Sequence, residues 1–268
     1  MRCVFFISDR TGLTTESIGN ALLTQFPTAQ FKREFIPFVD TITKASKAIV
    51  KIKARYFQYN ERPIVFTSIL EPKIRDMFKL DCVCHIDFFE SFTPILENEI
   101  GTKASNILGM SHGINDENKY NKRIDAIDFS LHNDDGIHVD NYDIADVILV
   151  GVSRVGKTPT CLYLAVNYGI KAANYPFADL DLINDKLPKI LVPYYGKLFG
   201  LTIDVDRLHQ IRSNRLPNSK YADINNCRQE IAAAEHIMQR YDIPYLNVSK
   251  RSIEELSVGI IERIKLNR

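Results

Sequence analysis

No apolar run in this chain of 268 residues approaches the length that crosses a membrane. The opening residues, MRCVFFISDR, hold a short apolar run but lack the long apolar core of a cleavable signal. A soluble, cytoplasmic protein is therefore expected. Cysteine is scarce: Cys3, Cys82, Cys84, Cys161 and Cys227 form an odd, scattered set, which argues for reduced thiols rather than a disulfide framework. Cys82, Cys84 and His85 lie close together, but no second pair with ligand spacing accompanies them and zinc takes four ligands, so they are expected as buried structural thiols. An excess of charge of either sign is also missing. Lys and Arg number 34, Asp and Glu 33, giving a net charge of +1, so no broad field draws nucleic acid or an anionic membrane. The aromatic residues are scattered without the basic interleaving of a single-strand binding face. Hydrophobic content of 45% and charged content of 25% are ordinary for a globular protein, and the length allows one large or two modest domains.

Glycine is sparse too, at 12 of 268 residues, which makes one pattern stand out. Residues 145–158 read ADVILVGVSRVGKT. Gly151, four intervening residues, Gly156, Lys157 and Thr158 fill the phosphate-loop pattern, which at this glycine content arises by chance in well under about one chain in a hundred. Val147 to Val150 read as a buried strand before the loop. Pro159 and CLYLAVNYG then carry a helix, and proline in a first turn costs no helical hydrogen bond. The glycines let the backbone fold around an anion, and the amides of Gly151, Val152, Ser153, Arg154, Val155, Gly156, Lys157 and Thr158 supply partial positive charge. In such a loop Lys157 neutralises the outer phosphates and Thr158 holds Mg²⁺ through its hydroxyl.

Elsewhere strands alternate with helices, which implies a mostly parallel sheet with covering helices. Strands are expected at 3–7, 35–39, 63–69, 145–150, 170–174, 198–203 and 243–249. A helix at 43–58 places Ala45, Ala48, Ile49, Ile52 and Tyr56 on one side, and Pro72 opens another. Ser252 and Glu255 form a capping box before a helix with Ile253, Leu256, Ile260 and Ile264 on one face. Residues 101–119 are polar and turn-rich, so a linker or mobile loop is expected there, followed by a helix at 119–132. No internal repeat is evident. The fold expected is α/β: an N-terminal α/β domain over 1–142 and a C-terminal P-loop kinase-like domain over 143–268.

Several residues outside the loop carry chemistry in pattern alone. At helical spacing, KYNKRIDAIDFSLH puts Tyr120, Ile124, Ile127 and Leu131 on an apolar face, and Asn121, Asp125, Asp128 and His132 on another. That second stripe could position a metal, a water or a hydroxyl, or be a solvated polar face. Asp134, Asp135 and Gly136 read as a helix end and turn. His112 in SHGIN sits in the polar loop, as an acid, base or phosphate contact or as a plain surface histidine. SDRTGLTTE lies between a strand and a helix, so Asp9, Thr11 and Gly12 are candidates for a second phosphate site, with helix capping by Thr14 or Thr15 the alternative. Asp204, ending KLFGLTID, could support Mg²⁺ with Thr158 or cap the next helix, as could Asp206. Arg207, Arg212, Arg215, Lys220 and Arg228 could close over phosphates as a lid or form a solvated face. Arg154, inside the loop, is better placed to touch a transferred phosphate.

GVSRVGKTPTCLYLA (151–165), GIKAANYPF (169–177), KLFGLTID (197–204), NKRIDAIDFSLHNDDG (121–136) and VFFISDRTGLT (4–14) closely resemble the phosphoenolpyruvate synthetase regulatory protein family, which is related to the pyruvate, phosphate dikinase regulatory proteins. The likeness runs along nearly the whole chain in the same order. Glycine before the lysine at 156–157 looks like the synthetase branch; the dikinase branch typically has serine there. The resemblance implies a bifunctional enzyme. One activity transfers the β-phosphoryl of ADP to a threonine of phosphoenolpyruvate synthetase; the other removes it with inorganic phosphate and releases pyrophosphate. It also implies that Gly151 to Thr158 bind ADP with Mg²⁺ and that His112, Asp125, Asp128 and His132 belong to the site. Asp128 suits activation of the threonine hydroxyl, and Arg154, His112 or the Asp9–Gly12 loop suits inorganic phosphate. A homodimer is compatible with the chain. The rival readings are a nucleotide-sensing module that controls its partner by docking, and an ATP-dependent kinase of small molecules.

Overall fold

The computed structural model describes residues 1–105 and 117–263. The chain divides into two units, Met1–His112 and Gly113–Arg268, and each carries one four-stranded parallel sheet. This is the α/β class expected. No helix among the described residues is long and apolar enough to cross a membrane.

In the first unit the order is β1 (Arg2–Ser8), α1 (Leu13–Leu23), β2 (Phe31–Ile36), α2 (Ile42–Tyr59), β3 (Ile64–Ser68), α3 (Pro72–Arg75), β4 (Cys84–Asp87) and α4 (Phe88–Ile100). The sheet runs β2-β1-β3-β4. β1 is buried on both faces because its alternate residues enter different cores. Cys3, Phe5 and Ile7 meet Ala45, Ala48 and Ile52 of α2, while Val4 and Phe6 meet Leu23 of α1 and Phe88 of α4. Thr41 caps α2 by accepting the amide of Lys44, and Glu71 caps α3 ahead of Pro72. The second strand runs Phe31–Ile36 rather than 35–39; it ends before Phe38, which adopts a left-handed φ of 58° and turns the chain. Thr14 and Thr15 do not cap α1: Gly12 occupies that position, and the buried Thr15 hydroxyl bonds Ser68 instead.

The second unit holds α5 (Glu117–His132), β5 (Val147–Gly151), α6 (Lys157–Tyr168), β6 (Ala172–Pro176), α7 (Asp179–Asn184), β7 (Leu198–Thr202), α8 (Val205–Arg215), α9 (Ile224–Arg240), β8 (Tyr245–Asn247) and α10 (Ile253–Arg263). Its sheet runs β6-β5-β7-β8. β5 and β7 are buried along their whole lengths. The Ser252–Glu255 capping box forms in both directions, at 2.9 and 3.3 Å, with Leu256 and Ile260 buried behind it. Ile264, assigned to that face, lies outside the described residues.

The division expected between residues 142 and 143 moves to 112/113. The reason is α5, which packs against α6 and β6 and adds Phe129 to the core of the second unit. The face that α5 buries is also not the one its apolar spacing suggested. Ala126, Phe129, Ser130 and Asn133 go inward, while Tyr120, Ile124 and Leu131 are exposed and Ile127 only partly covered.

A repeat unseen in the sequence does exist in topology. Both sheets place their first strand between the second and third, and both first strands run into a loop ending on a left-handed glycine that opens a helix, Gly12 with φ 77° and Gly156 with φ 88°. In parallel sheets ligands bind beyond the carboxyl ends of the strands where the order reverses, and in the second unit that position is the end of β5.

A methyl group on Gly151, which closes β5, would sit 2.3 Å from the carbonyl oxygen of Leu201, whereas one on Gly156 meets nothing within 4 Å. Gly151→Ala is therefore expected to destabilise by about 2–4 kcal/mol through a backbone clash plus left-handed strain, and Gly156→Ala by strain alone, about 1–2 kcal/mol. Thermal unfolding without nucleotide should rank the two in that order.

Candidate nucleotide-phosphate site

The loop from Gly151 to Thr158 is tied down before any ligand arrives. Val152 and Val155 point into the core, each 1% exposed, and Phe177 donates its amide to the Gly151 carbonyl at 3.1 Å. Gly156 opens α6 with no side chain capping it, so the amides of the first helical turn are left for an anion. Arg154 stands exposed on the loop at φ 78°, and its side chain makes no hydrogen bond or ion pair among the described residues.

Lys157 is 5% exposed and folds over its own loop, donating to the carbonyls of Gly151 at 3.1 Å and Val152 at 2.9 Å. Burial pushes its ammonium down to about 8, against the opposing pull of Asp135, Cys161 and Asp134. Two neutral carbonyls are a thin shell for a buried cation, and an anionic phosphate is a better partner. The hydroxyl of Thr158 donates to Asp134 Oδ1 at 2.8 Å, and the buried Asn174 of β6 donates its side-chain amide to the same oxygen.

A buried arginine supports the loop from behind. Arg212 on α8 is 1% exposed; it donates to Glu230 of α9 at 2.7 Å, to the Tyr221 carbonyl at 3.1 Å and to the Ser153 carbonyl in the loop at 3.2 Å. Its guanidinium lies 4.2 Å from the Tyr221 ring centroid, and the Tyr221 hydroxyl is 3.2 Å from Ser153 Oγ. Arg212 is thus a support and not a lid. Of the remaining basic residues of that segment, Arg207 bonds Gln210 and Arg228 bonds Asn225 on the surface.

The other candidates fall in several places. Asp204 sits at the start of α8, where its side chain accepts from Asn247 at 2.8 Å and its amide donates to Ser249. The carboxylate that meets Thr158 is Asp134, not Asp204. Asp125, Asp128 and His132 are exposed on α5; His132 bonds the Asp128 carbonyl at 2.7 Å, and among the described residues no hydrogen bond or ion pair joins the three to the loop. His112 lies outside the described residues. Asp9, Thr11 and Gly12 belong to the first unit. There Asp9 is buried and accepts the Leu70 amide at 2.8 Å, and burial raises its carboxyl above the usual range. Also in the first unit, an open cavity of about 630 Å³ is lined by Arg62, Lys79, His85, Asp87 and Glu90. Behind these residues the buried Thr67 hydroxyl donates to Asp87 at 2.6 Å and accepts from His85 Nε2 at 2.8 Å. Burial holds that imidazole below its usual range, so it is neutral near pH 7. The thiols are all free; Cys3, Cys161 and Cys227 are buried, but Cys82 and Cys84 only partly so.

Asp134 and Asn174 are the two residues of the site that sequence patterns did not single out. A signal for Asn174 was present: a side-chain amide inside an otherwise apolar strand requires a buried partner.

The family model described as kinase/pyrophosphorylase matches residues 4–261. A protein of Laribacter hongkongensis named "Putative phosphoenolpyruvate synthase regulatory protein" is 51% identical over 268 residues, covering 100% of this chain and 98% of its own. Proteins of the same name from Legionella pneumophila (strain Corby) and Halorhodospira halophila are each 48% identical with the same coverage.

Arg212→Ala leaves Glu230 partly buried without its cation and unties the Ser153 carbonyl; a loss of about 3–5 kcal/mol of stability is expected. Arg212→Lys keeps the charge but not the forked geometry. It should fold and bind nucleotide about tenfold more weakly, the equivalent of about 1.4 kcal/mol, as read by calorimetry beside a melting curve.

Proposed function

Since this chain belongs to the kinase/pyrophosphorylase family, we propose that it regulates a phosphoenolpyruvate synthase through two opposed phosphoryl transfers at the Gly151–Thr158 loop. In the first, a threonine hydroxyl of the synthase attacks the β-phosphorus of ADP. The bond from that phosphorus to the α–β bridging oxygen breaks, AMP leaves, and the threonine proton passes to a base. In the second, an oxygen of inorganic phosphate attacks the phosphothreonine phosphorus. The bond to the threonine oxygen breaks, pyrophosphate leaves, and the hydroxyl is restored with a proton.

The observation that carries this reading is the loop itself: a left-handed glycine opening α6, a buried lysine held over the loop carbonyls, and a threonine hydroxyl on a carboxylate. Lys157 and the loop amides surround charge that grows on the transferred group, and fixed donors of this kind lower the barrier because they need no reorganisation. Arg154, exposed and without a hydrogen bond or ion pair among the described residues, is suited to the same charge or to inorganic phosphate. Asp128, exposed on α5, remains the proposed base for the threonine, with Asp125 and His132 beside it. Mg²⁺, when bound with the nucleotide, neutralises phosphate charge beside the Thr158 hydroxyl.

The decisive experiment incubates the chain with phosphoenolpyruvate synthase, phosphoenolpyruvate, Mg²⁺ and ADP labelled in its β-phosphate. Label should appear on a synthase threonine, fall by about 100-fold or more in Lys157→Ala, and leave as pyrophosphate when inorganic phosphate is added. Label from the γ-phosphate of ATP alone would replace the donor. Nucleotide binding with no label from either would instead favour control by docking.

A further inference from the structure

We propose that Asp134 is a carboxylate in the coordination shell of the divalent cation that accompanies the nucleotide, with the buried Asn174 as its positioning residue. The inference rests on the phosphate-loop reading above and extends it to residues that no phosphate-loop pattern contains. The turn after α5 is laced to β6 almost entirely through Asn174, whose side chain is completely buried. The Asn174 amide donates to the Asn133 carbonyl at 3.2 Å, and the Asn174 carbonyl accepts from Gly136 at 3.0 Å and from the Tyr142 hydroxyl at 3.1 Å. Its side-chain oxygen accepts the Asp135 amide at 3.1 Å, and its side-chain nitrogen donates to Asp134. A buried amide with every group engaged holds one rotamer, so the carboxylate it grips is placed rather than free.

That carboxylate is delivered to the hydroxyl at the end of the phosphate loop. Thr158 and Asn174 both donate to Asp134 Oδ1, which leaves Oδ2 as the oxygen to meet a cation. A hydroxyl and a carboxylate are hard oxygen donors, the set that suits magnesium or manganese, with water and phosphate oxygens completing the shell. Among the described residues no group of three or more histidine, cysteine, aspartate or glutamate side chains could hold a metal. The carboxylate expected for this role, Asp204, is already engaged by Asn247.

Manganese serves as the probe, with the full-length chain. Free Mn²⁺ is followed by its paramagnetic resonance signal as the protein is added with ADP, while ADP binding without cation is measured by calorimetry in chelator. Asp134→Asn should weaken cation uptake about 10- to 100-fold without weakening cation-free ADP binding, because the substitution removes a negative charge beside the phosphates. Asp204→Asn should change neither. Asp134→Cys, a thiol of similar size, should take cadmium with ADP in place of magnesium, a readout that a folding defect does not produce. Wild-type manganese uptake in Asp134→Asn, loss confined to Asp204→Asn, or no cadmium preference in Asp134→Cys would overturn the assignment. A wild-type chain that binds no ADP with or without cation would instead bring down the phosphate-loop reading and this inference with it.

Discussion

The chain at Gly151 passes so close to the carbonyl of Leu201 that only hydrogen fits between them. That approach locks the end of β5 against β7 and sets where the phosphate loop begins. From there Val152 and Val155 anchor the loop in the core, Arg212 braces its middle through the Ser153 carbonyl, and the left-handed Gly156 hands the chain to α6. None of these contacts needs a ligand. Donors that are already aimed cost no reorganisation when charge develops between them, and sheet packing supplies that aim here.

The part of the site legible in the sequence was the part made locally. Two glycines, a lysine and a threonine within eight residues report a loop whose geometry depends on neighbours in the chain. The same holds for the strands of the second unit, found within two residues, and for the Ser252–Glu255 box. What stayed hidden depends on partners far along the chain. Thr158 meets a carboxylate 24 residues away and Asn174 holds it from 40 away, and spacing carries no trace of either. Asp204 looked the stronger candidate because it follows an apolar strand, yet Asn247 from the neighbouring strand occupies it.

Helices misled where hydrophobicity and burial part company. On α5 the larger apolar residues face outward and the small or polar Ala126, Ser130 and Asn133 go inward with Phe129, because close packing on α6 and β6 favours small groups and buried hydrogen bonds. β4 and α4 escaped notice for a related reason. CHID mixes polar residues into a short edge strand, and α4 buries Phe88 while exposing Phe92, Ile95 and Leu96. The domain boundary followed the same error, since α5 was grouped by its position in the chain and not by what it covers.

Lys157, resting on its own loop carbonyls, gives the loop an internal partner for its one buried ammonium. A phosphate entering the loop would have to displace that internal competitor, and its affinity would be the intrinsic one scaled by the fraction of time the lysine is released. The same contact would act on an anion's departure: the ammonium has a nearby place to return to, so its buried charge is not stranded. A loop built this way gives up some tightness for an anion and gains ease of exchange.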